Sequence, residues 1–265
     1  MARMSTRASV CFMLIVCAAG AQARDFTGDA ARVGRDALRY DEAAEGFAIK
    51  RAPEAGKPSV ELRLGFAYEA DEDGANGLTT PFAWDWISAD NTNRLQIRGD
   101  GYSRQRSPDG TRRGLANVGS RLSHNFGDFA QGKFVGAIGL VIPSHGEVGS
   151  SAAAQTISAS YSRKLSPTWR TVGVAFLAHS NRHLPGISQY TKGGHAELDY
   201  AVDGDRGFIL GLDRRYTSGA GGSTDLGIEY DFPLSGKLAA ELSVSRGLTS
   251  GARSTAIDFT IVYPF

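Results

Sequence analysis

The chain has 265 residues, with 29 Lys and Arg against 28 Asp and Glu, 33 glycines and two cysteines. A formal charge of +1 gives no basic surplus for nucleic acid and no acidic surplus for a basic partner. Glycine stands well above the roughly 7% of ordinary chains, which suits crowded, twisted sheet better than helix.

Arg3 and Arg7 precede an apolar run of about ten residues from Val10 to Ala19, followed by Ala21-Gln22-Ala23. This order predicts a secretory signal peptide over 1–23, cleaved after about Ala23, and the run is too short to span a bilayer. An uncleaved N-terminal anchor is the alternative. A lipoprotein site at Leu14-Ile15-Val16-Cys17 is disfavoured by the bulk of Val16. Both cysteines, Cys11 and Cys17, lie in the leader. The mature chain therefore has no disulfide framework and no cysteine metal site. Loss of Arg3 and Arg7 moves the formal charge to −1. Residues 24–57 are charged and Ala-rich, with a short helix predicted around 30–40. They read as a periplasmic lead-in or partial plug, or as a mobile tail.

From residue 58 to 265 the pattern changes. Segments that alternate apolar and polar residues recur at 60–69, 81–87, 94–103, 115–126, 133–142, 155–165, 169–178, 190–202, 207–216, 224–232, 237–247 and 255–265. Alternation places successive side chains on opposite faces of a strand. Past residue 23 no apolar run is long enough for a membrane helix, so strands must do any crossing. The gaps 166–167, 203–205 and 233–236 are tight and follow even-numbered segments. The gaps 71–77, 105–113, 143–153 and 179–187 are looser and follow odd-numbered ones. Short turns at one end and longer loops at the other are the rhythm of an outer-membrane barrel. The predicted fold is thus all-β: one antiparallel transmembrane barrel of about twelve strands.

The faces sort cleanly in several segments. Leu62, Leu64, Phe66 and Tyr68 oppose Glu61, Arg63 and Glu69. Leu226, Ile228, Tyr230 and Phe232 oppose Asp225, Gly227, Glu229 and Asp231. With the apolar side outward, Trp84, Trp86, Phe126, Tyr230, Tyr263 and Phe265 fall near strand ends, where interfacial aromatic girdles form. The last segment carries Ile257, Phe259, Ile261, Tyr263 and Phe265 on one face. This ending resembles the final strand of bacterial outer-membrane barrels, and the resemblance implies that Tyr263 and Phe265 are read by the barrel assembly machinery.

The polar side then lines a lumen. Arg63, Arg94, Arg98 and Arg121 come from the first, third and fourth segments. Glu197, Asp199, Asp213, Glu229, Glu241 and Asp258 come from the eighth to the twelfth. Opposite charges on separate arcs predict a transverse field across a wet pore, which orients polar solutes and sets ion preference. The alternative is that these charges pair across a narrow lumen and close it. Twelve strands lie between eight, where side chains fill the interior, and sixteen, where a channel opens.

Gly139-Leu140-Val141-Ile142-Pro143-Ser144-His145-Gly146, then Ile157-Ser158-Ala159-Ser160-Tyr161-Ser162-Arg163 and Trp169, resemble the phenol meta-pathway transporter-like family of bacterial outer-membrane β-barrel proteins. Val141 replaces that family's usual basic residue, and Ser144-His145 stands where Thr-Gly is expected. The resemblance covers about 60–265 and implies a passive or gated channel for small, hydrophobic or aromatic solutes.

His179-Ser180-Asn181-Arg182-His183 is similar to the His-x-Ser-Asn patterns of outer-membrane phospholipase A and lipid A deacylase. A lipid acyl hydrolase using Ser180 with His179 or His183 is therefore an alternative reading. Two-residue spacing would put imidazole and hydroxyl on one strand face. His179 and Ser180 are adjacent and would point apart unless a bulge intervened. Lys192 stands about where the orienting Asn of those enzymes would be. A structural barrel without transport is the third reading.

Ser123-His124-Asn125 reads as a strand end at the periplasmic interface. Asp71-Glu72-Asp73-Gly74 is a short acidic loop without the twelve-residue calcium pattern. Arg104, Arg106, Arg112 and Arg113 suit lipopolysaccharide phosphates if their loop lies outside. No phosphate-binding glycine loop, two-histidine metal helix or dinucleotide fingerprint is present, so no cofactor or metal is expected. Expected partners are outer-membrane lipid and lipopolysaccharide, the assembly machinery and a small-molecule solute, with no nucleic acid.

Overall fold

A computed structural model describes residues 57–265, except 73, 109, 145–147, 149–152, 182–185, 187, 204 and 250–253. The leader expected over 1–23 and all but the last residue of the lead-in lie outside the described residues.

Among the described residues every element is a strand: β1 (Ser59–Asp71), β2 (Asn76–Thr79), β3 (Phe82–Ile87), β4 (Asn93–Gly99), β5 (Tyr102–Ser107), β6 (Gly110–Leu115), β7 (Val118–Phe129), β8 (Gly132–Ile142), β9 (Ala154–Lys164), β10 (Trp169–Ser180), β11 (Tyr190–Ala201), β12 (Gly207–Thr217), β13 (Gly221–Ser235), β14 (Leu238–Gly247) and β15 (Ser254–Pro264). All pairings are antiparallel, and β15 returns to β1 with Leu62 opposite Tyr263 and Phe66 opposite Phe259. The closed wall has twelve staves, because β2 with β3, β4 with β5, and β6 with β7 are each one stave with a break. Closure leaves the wall without the unpaired edges that lipid would penalise.

The breaks have local causes. Pro81 has no N–H to give the ladder, yet its carbonyl accepts a 2.8 Å hydrogen bond from Gly65 N–H, so β1 loses nothing. Gly101, at φ +55°, turns the chain between β4 and β5. Beyond these breaks, β1–β2, β2–β5 and β5–β6 pair as an extension of one side of the wall. Residues 76–77 and 105–113, expected as loops, are therefore largely strand. The sequence there lacks an apolar face because the extension needs none above the greasy belt.

Burial is inside out relative to a soluble protein. The largest side chains less than 2% exposed are Gln96, Asp85, Asp199, Asp231 and Ser103. Leu64, Phe66, Leu122, Ile138, Ile157, Leu210, Ile228 and Ile257 are exposed. A water-soluble barrel would reverse this, since bare apolar surface costs about 25 cal/mol per Å² in water. The exterior thus belongs against acyl chains. Near the chain termini, Trp169 and Tyr200 rings lie 4.7 Å apart, Phe208 and Tyr230 4.6 Å, and Tyr263 and Phe265 4.7 Å. Tyr190 and Tyr216 stand exposed toward the opposite end.

Candidate functional site

Inward parity follows from the register. Glu61, Arg63, Gly65 and Ala67 point in from β1, and Ala83 and Asp85 from β3. His195, Glu197 and Asp199 share one face of β11, and Asp213 and Arg215 one face of β12. Every charged residue expected to line the lumen sits on this inward face: Arg63, Arg94, Arg98, Arg121, Glu197, Asp199, Asp213, Glu229, Glu241 and Asp258.

The side chains form short pairs along the wall. Arg63 donates from Nε to Glu61 at 2.7 Å and from Nη1 to Glu241 at 2.9 Å. Arg94 Nε donates to Asp85 at 2.8 Å, and Gln96 donates to the same oxygen at 2.9 Å. Arg170 reaches Asp199 at 2.6 Å, and Arg215 reaches Asp225 at 2.9 Å. His195 sits between two carboxylates, Glu197 at 2.6 Å and Asp213 at 2.9 Å. Its ring also covers Gly211, where an added Cβ would come 2.9 Å from the imidazole. Arg121 donates to Ser158 at 3.3 Å.

Arg63–Glu61 and His195–Glu197 lie within one strand, and the other pairs join neighbouring staves or, as for Arg63 on β1 with Glu241 on β14 and Arg121 on β7 with Ser158 on β9, staves with one other between them. None of them crosses the bore. A cavity of about 260 Å³ lies inside, bounded by Arg63, Ala83 and Arg98 on one side and by His195, Glu197, Asp213, Glu229 and Asp258 on the other.

The expected separation of charge is only partly realised. Glu61 and Asp85 stand among the arginines of β1 and β4, and Arg170 and Arg215 among the acids of β11 to β13. Neutralisation by a near neighbour is the physical reason, since a buried ion is costly unless paired. Sequence reading missed His195, Asp85, Arg170 and Arg215. The signal for His195 was present, because it shares parity with Glu197 and Asp199.

A second arc is apolar away from the strand ends, where Arg170 faces in from the start of β10. Val141, Ala154, Val172, Val174, Phe176 and Ala178 are buried and point inward from β8, β9 and β10. The Phe176 ring lies over Gly193, where a Cβ would stand 2.6 Å from two ring carbons.

The alternative site is not assembled by the described residues. His179 is on the outer face, its ring 4.8 Å from that of Tyr190, whereas Ser180 follows the inward parity of Ala178. His183 lies outside the described residues. His124 also faces out, bonding Asn93 at 2.9 Å and lying edge-on to Phe126. Asp71 and Glu72 begin the turn to β2, with Gly74 N–H donating to the Asp71 carbonyl at 3.1 Å. Asp73 is outside the described residues, and among those described no group of acids or histidines is arranged for a metal. Arg104 and Arg113 face each other across the exposed β5–β6 hairpin.

Two short turns at the terminus end carry charge shifts. Asp90 accepts from Ser88 Oγ at 2.5 Å and from Thr92 N–H at 3.1 Å, which lowers its carboxyl to about 2. Asp203 is also held below the usual carboxylate range, by hydrogen bonds from Arg206 and Asp205 N–H.

No protein-family model matches the chain, and no match is found among the curated proteins. Solved structures do share its fold. An outer-membrane channel from Pseudomonas putida F1 superposes with a TM-score of 0.60 at 12% identity, over 81% of this chain and 97% of the other. The NanC porin gives 0.58 at 8% identity, over 76% and 98%. The translocator domain of the autotransporter NalP from Neisseria meningitidis gives 0.52 at 10% identity, over 89% and 97%. The fold is therefore that of outer-membrane β-barrels. A channel, a porin and a translocator share it, so role must be argued from the lumen.

Proposed function

We propose that this chain is a conduit for small molecules across the outer membrane of a Gram-negative bacterium. The observation that carries the reading is a cavity of about 260 Å³ inside the wall, beside which Arg63–Glu241, Arg94–Asp85 and Arg170–Asp199 pair along the wall. Wall-bound pairs hold a polar surface in place without bridging the bore. The resemblance to the phenol meta-pathway transporter-like family adds a finer expectation, passage of hydrophobic or aromatic compounds. The inward Val172, Val174 and Phe176 give the inner wall an apolar patch that fits this expectation.

On this reading the terminus end, with its short turns, faces the periplasm, and the β5–β6 hairpin stands outside. Arg104, Arg106 and Arg113 there suit lipopolysaccharide phosphates. Residues 1–23 act as the export signal, 24–57 lead into the barrel at 58–265, and Tyr263 with Phe265 serves the assembly machinery.

Planar-bilayer recording of the purified protein tests the proposal. Discrete channel events are expected, with conductance altered by Arg98→Glu or Arg121→Glu. Complete silence of the folded protein would refute it.

A further inference from the structure

The arc from β11 to β15 carries more carboxylate than its cations neutralise. Arg170 is committed to Asp199 and Arg215 to Asp225, at 2.6 and 2.9 Å. Arg63 serves Glu61 and Glu241 together, at 2.7 and 2.9 Å. Glu197 and Asp213 share a single imidazole. Glu229 and Asp231 add further acid on β13.

The register makes this surplus sharper. Asp213 lies directly opposite Asp225 across β12 and β13, and Asp231 directly opposite Glu241 across β13 and β14. Like charges facing each other across a ladder destabilise the sheet. Two independent details point to what offsets that cost. Glu197 is 8% exposed and borders the cavity, yet its Oε2 has no hydrogen-bond partner. Asp231 is 1% exposed, no basic or amide group bonds its oxygens, and its side-chain partner is another acid, Glu229. Buried carboxylates are tolerated when a cation shares their site.

We infer that the lumen selects cations, and that its solutes include small protonated amines. This deepens the conduit reading and rests on it. An ammonium group tracks the carboxylates of β11 to β15 that border the cavity. A carboxylate-bearing solute is repelled by Glu197 and Asp213, which border the cavity. The arginines Arg98 and Arg121 on the opposite arc do not reverse the preference, because the cavity is bordered by more acids than bases.

The test is the reversal potential of single channels in a tenfold KCl gradient, followed by replacement of KCl with benzylammonium chloride or potassium benzoate on one side. Expected is a potassium-to-chloride permeability ratio on the order of 10, in line with field focusing in a narrow cleft. Benzylammonium should carry current and benzoate should carry far less. Glu197→Gln and Asp213→Asn should each bring the ratio toward unity, while Asp203→Asn in the exposed turn should leave it alone. A channel that conducts but prefers chloride, or passes benzoate as readily as benzylammonium, overturns the inference while the conduit reading survives. Absence of any channel removes the conduit reading itself. The wild-type ratio decides the matter even if a variant fails to fold.

Discussion

Two arcs of the same wall differ in what they turn inward. From β8 to β10 the inward side chains are Val141, Ala154, Val172, Val174, Phe176 and Ala178, with serines between them and Arg170 at the start of β10. From β11 to β15 they are His195, Glu197, Asp199, Asp213, Arg215, Glu229, Asp231, Glu241 and Asp258. The outward faces of both arcs are apolar. Lipid therefore dictates one face of every strand, and nothing comparable dictates the other. The inward face is free to carry what the lumen is for. Its polar half is held by ion pairs between neighbouring staves, and its apolar half by close packing.

Removing a partner from the charged half should have the largest effect. Arg63→Ala leaves Glu61, Glu241 and nearby Asp85 without their shared guanidinium. Breaking a buried pair costs about 3 kcal/mol after allowance for water in the lumen. Urea unfolding in detergent micelles should show it, and Arg63→Ala with Glu241→Ala should recover part of the loss. Equal stability of wild type and Arg63→Ala would mean that the ionic network does not hold this arc.

The packed half breaks differently. Gly193→Val should drive a side chain into the Phe176 ring and the Arg214 carbonyl. Overpacking of this kind costs about 2 kcal/mol. Gly139→Ala on β8 is its counterpart, with nothing nearer than 3.5 Å to the new methyl. It should be tolerated within about 0.5 kcal/mol. Heat-modifiable gel mobility distinguishes the two variants. Similar losses in both would mean that glycine serves backbone freedom there and not clearance for Phe176.

A turn between strands tests the wall independently of either arc. Ala130 and Gln131 join β7 to β8 with φ of +48° and +70°. A two-residue hairpin with both residues left-handed favours Asn-Gly. Replacing Ala130-Gln131 by Asn-Gly should raise stability by about 1 kcal/mol. The gain is offset in part by loss of the Gln131 bond to Arg163 at 2.5 Å.

These contrasts also explain what was legible beforehand. The staves could be read wherever the two faces differ, as in β1 and β13, and wherever Gly, Pro or Asp marks a turn. In β10 both faces are apolar, Val172, Val174 and Phe176 against Ala175 and Leu177, so alternation could not say which side met lipid. The strand itself was still recognisable by length. The extension formed by β2, β5 and β6 was read as loop because Gly77, Pro108, Gly110 and four arginines suppress any apolar period. Asp85 was overlooked because Trp84 and Trp86 dominate their segment. Its role depends on Arg94 and Arg63, which only the register brings near. The pairing of Asp213 with Asp225 is likewise a property of register and not of either segment.

The smallest effect lies where water reaches a carboxylate from every side. Asp90, in the turn between β3 and β4, has its carboxyl lowered to about 2 by the Ser88 hydroxyl and the Thr92 N–H. A lowered carboxyl stabilises the folded turn above its unfolded value near 4, and the contribution fades as pH falls toward 2. A carbon-detected NMR titration should place the Asp90 midpoint near 2 in wild type and move it up toward the ordinary value in Ser88→Ala. Because the group is fully exposed, the shift should leave the barrel's unfolding midpoint at neutral pH unchanged. A large drop in stability for Ser88→Ala would instead tie this turn to the closure of the wall, on the same footing as Arg63.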